Sequence, residues 1–250
     1  MRVTMLGTGA PMSSRAATGL VVTVEGREPL LIDTCGGFEL PRQLGKCSIP
    51  IRSLRDVIAT HRHFDHIGGM ASLFIADQPL DIYALDDTHD GIRGLMAATF
   101  PEWPIHPEVR HITIAPGERH EIGGFVVTFF EMEHRVPTVA VRIEAGGKVL
   151  AFSADSVPCQ ALIDCARDAD LFICDALSAP GTDQAMIDRT TQRMHPTARE
   201  AGEMATAANA RALLLTHFAS WADMDAMPVE AAAAFDGPVT IAEDCQTYVV

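Results

Sequence analysis

The sequence contains no uninterrupted apolar run of the roughly 18 residues that a membrane-spanning helix needs, so no such helix is expected. Its first residues, MRVTMLGTGAP, lack the apolar stretch and cleavage site of a signal peptide and are typical of a strand followed by a turn. The six cysteines are scattered and form no CxxC pair. We therefore expect six reduced thiols and a cytoplasmic protein.

Basic residues are also scarce. The chain has 19 lysines and arginines against 33 acidic residues, which gives a formal net charge of −14. A protein that binds nucleic acid through phosphates needs a basic patch, and no cluster of basic residues stands out here. We therefore expect a small-molecule substrate, and neither transfer RNA nor another nucleic acid as a partner.

What is present is typical of a globular enzyme. The 250 residues are 48% apolar, which is enough for a sizeable core and argues against disorder. Strand patterns dominate the first half, and "AGGK" predicts a tight hairpin turn between two strands. The last third alternates Ala-rich helical segments with short apolar strands, which favours two sheets covered outside by helices. Because no linker or repeat is visible, one domain is expected over residues 1–250.

A glycine-rich segment near the start, MLGTGAPM, superficially resembles a dinucleotide-binding fingerprint. It offers Gly7 and Gly9, but the third glycine is replaced by Met12, and a strand pattern follows where a helix would be needed. The segment therefore predicts a glycine turn between two strands.

The strongest chemical signal is ATHRHFDHIGG, residues 59–69, which directly follows an apolar strand pattern. It places His61, His63, Asp65 and His66 within six positions. Imidazole and carboxylate are the usual ligands of zinc, and a dinuclear centre needs more donors than this segment supplies.

Three more donors follow apolar strand patterns elsewhere in the chain. His134 follows FVVTFFEME, Asp155 follows VLAFSA, and His217 follows RALLLT. Residues at strand ends can converge on one cleft of a rigid scaffold. By contrast, His106, His111 and His120 lie in polar or proline-rich segments and His89 lies near a predicted helix start, so ordinary surface or capping roles are expected for these four.

The segments THRHFDHIGG, EMEHRVPTVAVRI, AFSADS and LLLTHFAS occur in the order typical of the metallo-β-lactamase superfamily. Over nearly the whole chain the sequence resembles the ribonuclease Z-like and cyclic phosphodiesterase branch of that superfamily. The resemblance implies an α/β fold, a four-layer αββα sandwich with two metal ions at the edge of the sheets. Zn²⁺ is the expected metal, with Mn²⁺ as an alternative.

The resemblance also assigns roles to the donors. His61, His63 and His134 would bind one ion, Asp65, His66 and His217 the other, and Asp155 would bridge the two. Asp65 would also belong to the catalytic residues.

A further match, RMHPTAREA, places His195 where this branch has a histidine near the scissile phosphate, with Thr197 as the predicted cap of the following helix. The carboxylate expected to orient His195 is Asp175, where the family usually has the longer glutamate. A second departure is Ala154, which replaces the usual glycine before Asp155.

The clearest departure is a missing insertion. Ribonuclease Z carries a long arm that grips transfer RNA between the third histidine and the bridging aspartate. Here a predicted hairpin fills the short interval between His134 and Asp155. The missing arm and the acidic charge together argue against transfer RNA processing.

These features predict a dinuclear-metal hydrolase that uses a metal-bridging hydroxide, with a small and possibly cyclic phosphodiester as substrate. His195 favours the phosphodiester, because a cation or proton donor stabilises its transition state and leaving group. The alternatives are a lactone or carboxylic ester hydrolase of the same fold, and a non-catalytic metal-bound or iron redox protein.

Two hypotheses concern the surroundings of the site. Residues 100–110, FPEWPIHPEVR, form either a lid with Phe100 and Trp103 over the cleft or a packed surface loop. Trp221, four residues after His217, is predicted to line the pocket. Relatives commonly form dimers, so a homodimer is a further expectation.

Overall fold

The computed structural model describes residues 1–250 and contains fourteen strands and eight helices. The strands are β1 (Arg2–Gly7), β2 (Gly19–Thr23), β3 (Leu30–Ile32), β4 (Asp56–Ile58), β5 (Leu80–Ala84), β6 (Val109–Thr113), β7 (Arg119–Ile122), β8 (Phe125–Met132), β9 (Thr138–Ala145), β10 (Lys148–Phe152), β11 (Leu171–Asp175), β12 (Leu213–Thr216), β13 (Val239–Ile241) and β14 (Thr247–Val249). The helices are α1 (Glu39–Lys46), α2 (Phe64–Ile67), α3 (Met70–Ile75), α4 (Asp86–Thr99), α5 (Gln160–Ala166), α6 (Gln184–Gln192), α7 (Ala198–Ala207) and α8 (Ala226–Ala232).

The strands form two seven-stranded sheets. The first has the order β14-β1-β2-β3-β4-β5-β6, and the second has the order β13-β12-β11-β10-β9-β8-β7. Each sheet is mixed: β3 to β6 run parallel in the first, and β10 to β13 run parallel in the second. A two-residue turn at Gly146 and Gly147, both with positive φ, joins β9 to β10 and confirms the predicted hairpin.

Three apolar layers hold these elements together. Inward-facing residues of both sheets, such as Val3 and Ile32 from the first and Phe125 and Phe129 from the second, form the central layer. The outer face of the first sheet packs against α1, α3 and α4. The outer face of the second packs against α5, α7 and α8. The predicted four-layer αββα sandwich is therefore confirmed.

The direction of the parallel strands determines where the polar residues gather. The carboxyl ends of neighbouring parallel strands lie at one edge of a sheet, which is where open α/β sheets bind ligands. Asp33 and His61 follow β3 and β4 of the first sheet, and Asp155 and His217 follow β10 and β12 of the second. Backbone hydrogen bonds from Val139 to the Thr60 carbonyl oxygen (3.2 Å) and from Ala10 to Phe218 (3.0 Å) join the two halves near this edge.

The glycine segment is a turn, as predicted. Gly7 ends β1, and no helix follows before β2. A Cβ on Gly7 would lie 2.0 Å from the carbonyl oxygen of Ala17, so no larger residue fits without a backbone shift. No helix in the structure is both long and apolar enough to cross a bilayer.

Candidate metal centre and active site

The histidine-rich segment changes conformation at His63. The backbone is extended at His63, and α2 begins at the next residue, so that Asp65 and His66 lie in its only full turn. His61 and His66 are completely buried, although imidazoles are polar. This change from extended to helical backbone lets four neighbouring side chains point into one space.

The structure groups the predicted donors in two overlapping sets. The first set contains His61, His63, His134 and Asp155, and the second contains Asp65, His66, Asp155 and His217. In each set the donor atoms lie within 4.8 Å of one another. This division is the one that the sequence predicts, and Asp155 belongs to both sets.

Distances around Asp155 show how the two sets meet. Its Oδ1 lies 3.3 Å from Nε2 of His66, on the side of the second set. Its Oδ2 lies 3.6 Å from Nε2 of His61 and 3.5 Å from Nε2 of His217. The carboxylate is almost fully buried, so it has been removed from water to a position between imidazoles of both sets.

The outer nitrogens of the imidazoles are held by hydrogen bonds. Nδ1 of His66 lies 2.7 Å from the carboxylate of Asp33, and Nδ1 of His217 lies 2.8 Å from the Thr18 hydroxyl. Nδ1 of His61 lies 3.1 Å from the hydroxyl of the adjacent Thr60. Such partners fix the ring so that Nε2 faces inward, which is the usual arrangement around metal-binding histidines.

The electrostatics of the centre favour the neutral form of four of its five imidazoles, and His66 is the exception. Burial lowers the pKa of four of the imidazoles. The pKa falls to about 4 for His134 and His217. It is also lowered for His63, and it lies well below the ordinary value for His61. Neutral imidazole is the form that binds metal. Burial also acts against protonation of His66, but the carboxylates of Asp155, Asp33 and Asp65 outweigh it and raise its pKa.

The arrangement of the imidazole nitrogens in the centre suits the binding of divalent cations. Nε2 of His66 is buried and has no hydrogen-bond partner. Nδ1 of His63 lies 3.0 Å from Nε2 of His61 and 3.2 Å from Nε2 of His134, so three nitrogen lone pairs face one point. Buried lone pairs that face one another raise the free energy of the folded state unless a cation or protons lie between the nitrogens. The two clusters are therefore able to bind metal.

Comparison with known proteins agrees with this geometry. The model of the β-lactamase superfamily domain matches residues 29–218, about three quarters of the chain. The chain belongs to the β-lactamase superfamily.

This superfamily member is similar in sequence to two curated relatives and similar in fold to one solved structure. It is 30% identical to "Probable metallo-hydrolase YhfI" of Bacillus subtilis over 97% of both chains. The crystal structure of that metallo-β-lactamase fold protein superposes with a TM-score of 0.84 and 28% identity, covering 99% of this chain and 98% of that one. A ribonuclease Z of Methanosarcina acetivorans is 26% identical over 98% of this chain and 96% of its own.

The ribonuclease Z alignment extends over 302 positions, whereas this chain has 250 residues, so that relative carries insertions that are missing here. The superfamily, the names of these relatives and the metal-competent clusters together make the chain a metallo-hydrolase of the β-lactamase superfamily.

A buried ion pair lies beside the metal-competent clusters of this superfamily member. Nδ1 of His195 lies 2.5 Å from Oδ2 of Asp175, so the shorter aspartate does reach the imidazole. Burial disfavours the imidazolium, but the carboxylate outweighs it and raises the pKa of His195 to about 9. The His195 ring stacks on that of His217 at 5.1 Å, which places it against the second set of donors.

The cap predicted for the following helix is also present. The Thr197 hydroxyl accepts a hydrogen bond from the Glu200 backbone, and the Glu200 carboxylate accepts one from the Thr197 backbone. This capping box fixes the start of α7 three residues after His195, so His195 sits on a well-defined backbone.

His195 and five of the seven donors line one pocket of about 380 Å³; the five are His63, Asp65, His134, Asp155 and His217. Its floor carries the donor residues, and its walls combine apolar and cationic side chains. The wall residues are Ala10, Pro11, Phe64, Arg135, Leu177, Arg193, Ala219 and Trp221. Trp221 therefore lines the pocket, as predicted.

Residues 100–110 do not cover this pocket. None of them contributes to its walls. Phe100, Pro101, Trp103 and Ile105 instead line a separate, mainly apolar pocket against α4. Of the two hypotheses for this segment, the structure agrees with a surface loop, in which Phe100 packs against the apolar cluster beside α4 while Trp103 and Ile105 remain exposed.

The expectation for His89 is wrong. It is neither a solvated nor a capping residue: it lies inside α4, which begins three residues earlier, and it is 1% exposed. Its Nε2 lies 3.2 Å from the carbonyl oxygen of Ile112, and its Nδ1 lies 2.9 Å from Nδ1 of His111. These contacts satisfy the ring within the α4–β6 interface, away from the metal-competent clusters.

Three backbone positions in the site carry strain, and one of them is Asp33, with φ of 54°. Ala154, which stands where glycine is usual, has φ of 50°, and His217 has φ of 62°. Non-glycine residues adopt this left-handed conformation at an energetic cost, which is common at functional sites. The backbone therefore keeps the glycine-type conformation before Asp155, and the departure does not displace the bridging carboxylate from the donors.

One functional residue, Asp33, was missed in the sequence. Its carboxylate accepts hydrogen bonds from the Thr60 backbone (2.9 Å) and hydroxyl (2.9 Å) as well as facing His66. The signal was present, because LLIDTC places an acid directly after an apolar strand, as with the other donors. Asp33 thus holds both the start of the histidine-rich segment and the ring of His66.

We expect Asp33→Asn to weaken metal binding at the second set of donors about 10- to 100-fold, the usual effect of losing such a supporting partner. The amide keeps the shape of the carboxylate but loses its charge and one acceptor oxygen. Metal titration against a competing chelator measures the two affinities. Asp236→Asn, at an exposed position, is the matched control. Unchanged affinity at both positions in Asp33→Asn would contradict the supporting role.

Proposed function

We propose that this metallo-hydrolase cleaves small-molecule phosphodiesters, with two divalent ions bound by His61, His63, Asp65, His66, His134, Asp155 and His217. Zn²⁺ is the expected ion, because five imidazoles and two carboxylates form a donor set that suits zinc, and Mn²⁺ is the alternative. Two bound ions would supply Lewis acidity and a nucleophile derived from water at neutral pH.

The observation that carries the choice of substrate is the His195–Asp175 pair beside these donors. With Nδ1 directed at Asp175, Nε2 of His195 is left for the pocket, which the ring lines. The neighbouring carboxylate of Asp175 raises the pKa of His195 and so favours the protonated imidazole. His195 can therefore stabilise charge on a phosphoryl oxygen and donate a proton to an alkoxide leaving group.

Asp175 acts on His195 and does not need to touch the substrate. Its Oδ2 holds Nδ1–H of the imidazole, which fixes the tautomer and stabilises the imidazolium. Asp65, at the pocket floor, would serve the second ion and help to orient the attacking water.

The second candidate is a lactone or carboxylic ester hydrolase. The apolar part of the wall, including Pro11, Phe64 and Leu177, favours an uncharged acyl group. Such a substrate leaves the cationic His195 without a developing phosphoryl charge to stabilise, so we rank this candidate below the phosphodiesterase.

A substrate screen tests the proposal. The protein loaded with Zn²⁺ or Mn²⁺ is assayed against linear and cyclic phosphodiesters, lactones, thioesters and a precursor transfer RNA. We expect the highest kcat/KM for a small phosphodiester and no cleavage of the RNA, because a short β9–β10 hairpin stands where ribonuclease Z has its arm and the net charge of −14 disfavours binding to a long phosphate backbone. A lactone as the best substrate would favour the second candidate. A salt-sensitive RNA complex at submicromolar concentration would contradict the charge argument.

A further inference from the structure

Cationic side chains border the pocket on the side of α6. Arg135 follows the donor His134, and Arg193 follows the last residue of α6; both line the pocket. A guanidinium nitrogen of Arg135 donates to the carbonyl oxygen of Gln192, the neighbour of Arg193. The two arginines therefore approach the same part of the rim from different elements of the fold.

Trp221 positions the arginines of α6. The guanidinium carbon of Arg193 lies 4.8 Å from the centre of a Trp221 ring, and that of Arg189 lies 3.8 Å away. Stacking on an indole restrains a long side chain and leaves its N–H groups free at the edge. The rim thus presents a guanidinium that is partly ordered before any ligand arrives.

None of these arginines has an anionic partner. No carboxylate lies within ion-pair distance of Arg135, Arg189 or Arg193, although the chain has 33 acidic residues. The two carboxylates that line the pocket, Asp65 and Asp155, belong to the donor sets. Positive charge at this rim is therefore not neutralised by the protein.

The alternative explanation is structural. Arg189 and Arg193 lie at the carboxyl end of α6, where cations complement the helix dipole, and Arg135 binds a carbonyl oxygen there. This explanation predicts an effect on stability alone. It does not account for the position of Arg135 and Arg193 on the wall of the catalytic pocket.

We propose that Arg135 and Arg193 form a subsite for a second anionic group, so that the substrate is a phosphodiester that also carries a phosphate or a carboxylate. The inference rests on the proposed function for the scissile bond. Guanidinium groups bind either anion through paired, charge-assisted hydrogen bonds. A pocket of about 380 Å³ is large enough to hold a small molecule with two such groups.

Binding tests the subsite without catalysis. The probes are propylphosphonate, 3-phosphonopropanoate and propane-1,3-diphosphonate, titrated calorimetrically into the metal-loaded protein. We expect the two probes with a second anion to bind about 10- to 100-fold more tightly than propylphosphonate, as expected for one or two charge-assisted hydrogen bonds. Arg135→Gln/Arg193→Gln should abolish most of this difference, and Arg199→Gln, an exposed arginine of α7 outside the pocket, should keep it.

Kinetics separates this inference from the proposed function. The substrates are 4-nitrophenyl phosphodiesters of propanol, 3-hydroxypropanoic acid and 3-hydroxypropyl phosphate, and the readout is the ratio of kcat/KM for each charged ester to that of the neutral ester. The propyl diester carries only the phosphodiester charge and the other two carry a second anion, so we expect ratios of about 10 to 100 that fall towards one in the double variant. The carboxylate and phosphate arms show which anion is preferred.

Different results would contradict the proposed phosphodiesterase activity and the proposed anion subsite. No turnover of any diester contradicts the proposed function, while the binding experiment still decides on the subsite. Turnover with ratios at or below one in the parent protein overturns the subsite alone. Equal binding of all three probes, or a lowered unfolding temperature as the only effect of the double variant, supports the structural explanation and overturns the subsite.

Discussion

Replacing Asp155 with alanine should strip most of the metal from both positions and abolish hydrolysis. This carboxylate faces both sets of donors: Oδ1 lies near His66 of the second set, and Oδ2 lies near His61 of the first set and His217 of the second. No other residue belongs to both sets. A substitution here therefore removes one donor from each ion, and it also leaves neighbouring imidazoles without their counter-charge.

Elemental analysis after desalting measures this loss of metal. Losing a hydrogen-bond partner of a metal ligand typically weakens metal affinity about 10- to 100-fold, and we expect losing a ligand itself to weaken the affinity at both positions at least as much. Asp155→Asn keeps the shape of the side chain and guards against a folding defect in the alanine variant. Asp236→Ala is an exposed control. Two fully retained ions in both Asp155 variants would show that the carboxylate does not bridge.

His195→Ala should have the next largest effect, a loss of about 10²- to 10⁴-fold in turnover with both ions retained. The imidazole makes its hydrogen bond to Asp175. It also forms a third group of possible donors with Asp175 and Asp155, but it belongs to neither of the two sets proposed to bind the ions. Its removal therefore affects the transition state and not the proposed metal ligands.

The dependence on leaving group identifies the role of His195. The loss should be largest for alkoxide leaving groups, which need a proton, and should shrink for nitrophenolate, which does not. Asp175→Asn should show a weaker form of the same pattern, because it acts only through the imidazole. His106→Ala, outside the pocket, is the control. Equal turnover of parent and His195→Ala for both kinds of leaving group would show that the acid role is wrong.

The convergence of these side chains could be predicted from the sequence because the fold places them by a simple rule. His134, Asp155 and His217 each follow an apolar strand, and carboxyl ends of parallel strands meet at one edge, so a local pattern indicates a global position. The sandwich followed from strand and helix periodicity, and the β9–β10 turn from its two glycines. The assignment of metals to these donors stays a prediction, as do the single domain and the homodimer.

What the sequence did not reveal depends on contacts between distant residues. The partner of His217 is Thr18, 199 positions away, and Asp33 supports His66 from another strand. Neither pairing leaves a local pattern. The short helices α1 and α6, and the pairing of β14 with β1, were also missed, because a few amphipathic or alternating residues do not distinguish a helix or strand from a turn.

The proposed metal ligands come from both halves of the sandwich, and this arrangement affects the stability of the folded protein. His61, His63 and His66 come from the half built on the first sheet, whereas His134, Asp155 and His217 come from the other. Bound ions would fasten the halves together much as a cross-link does. A ligand present at 1,000 times its Kd, and bound only by the folded chain, adds about 4 kcal/mol to the free energy of unfolding. Metal starvation would therefore expose the chain to proteolysis, and the amount of protein would fall along with its activity.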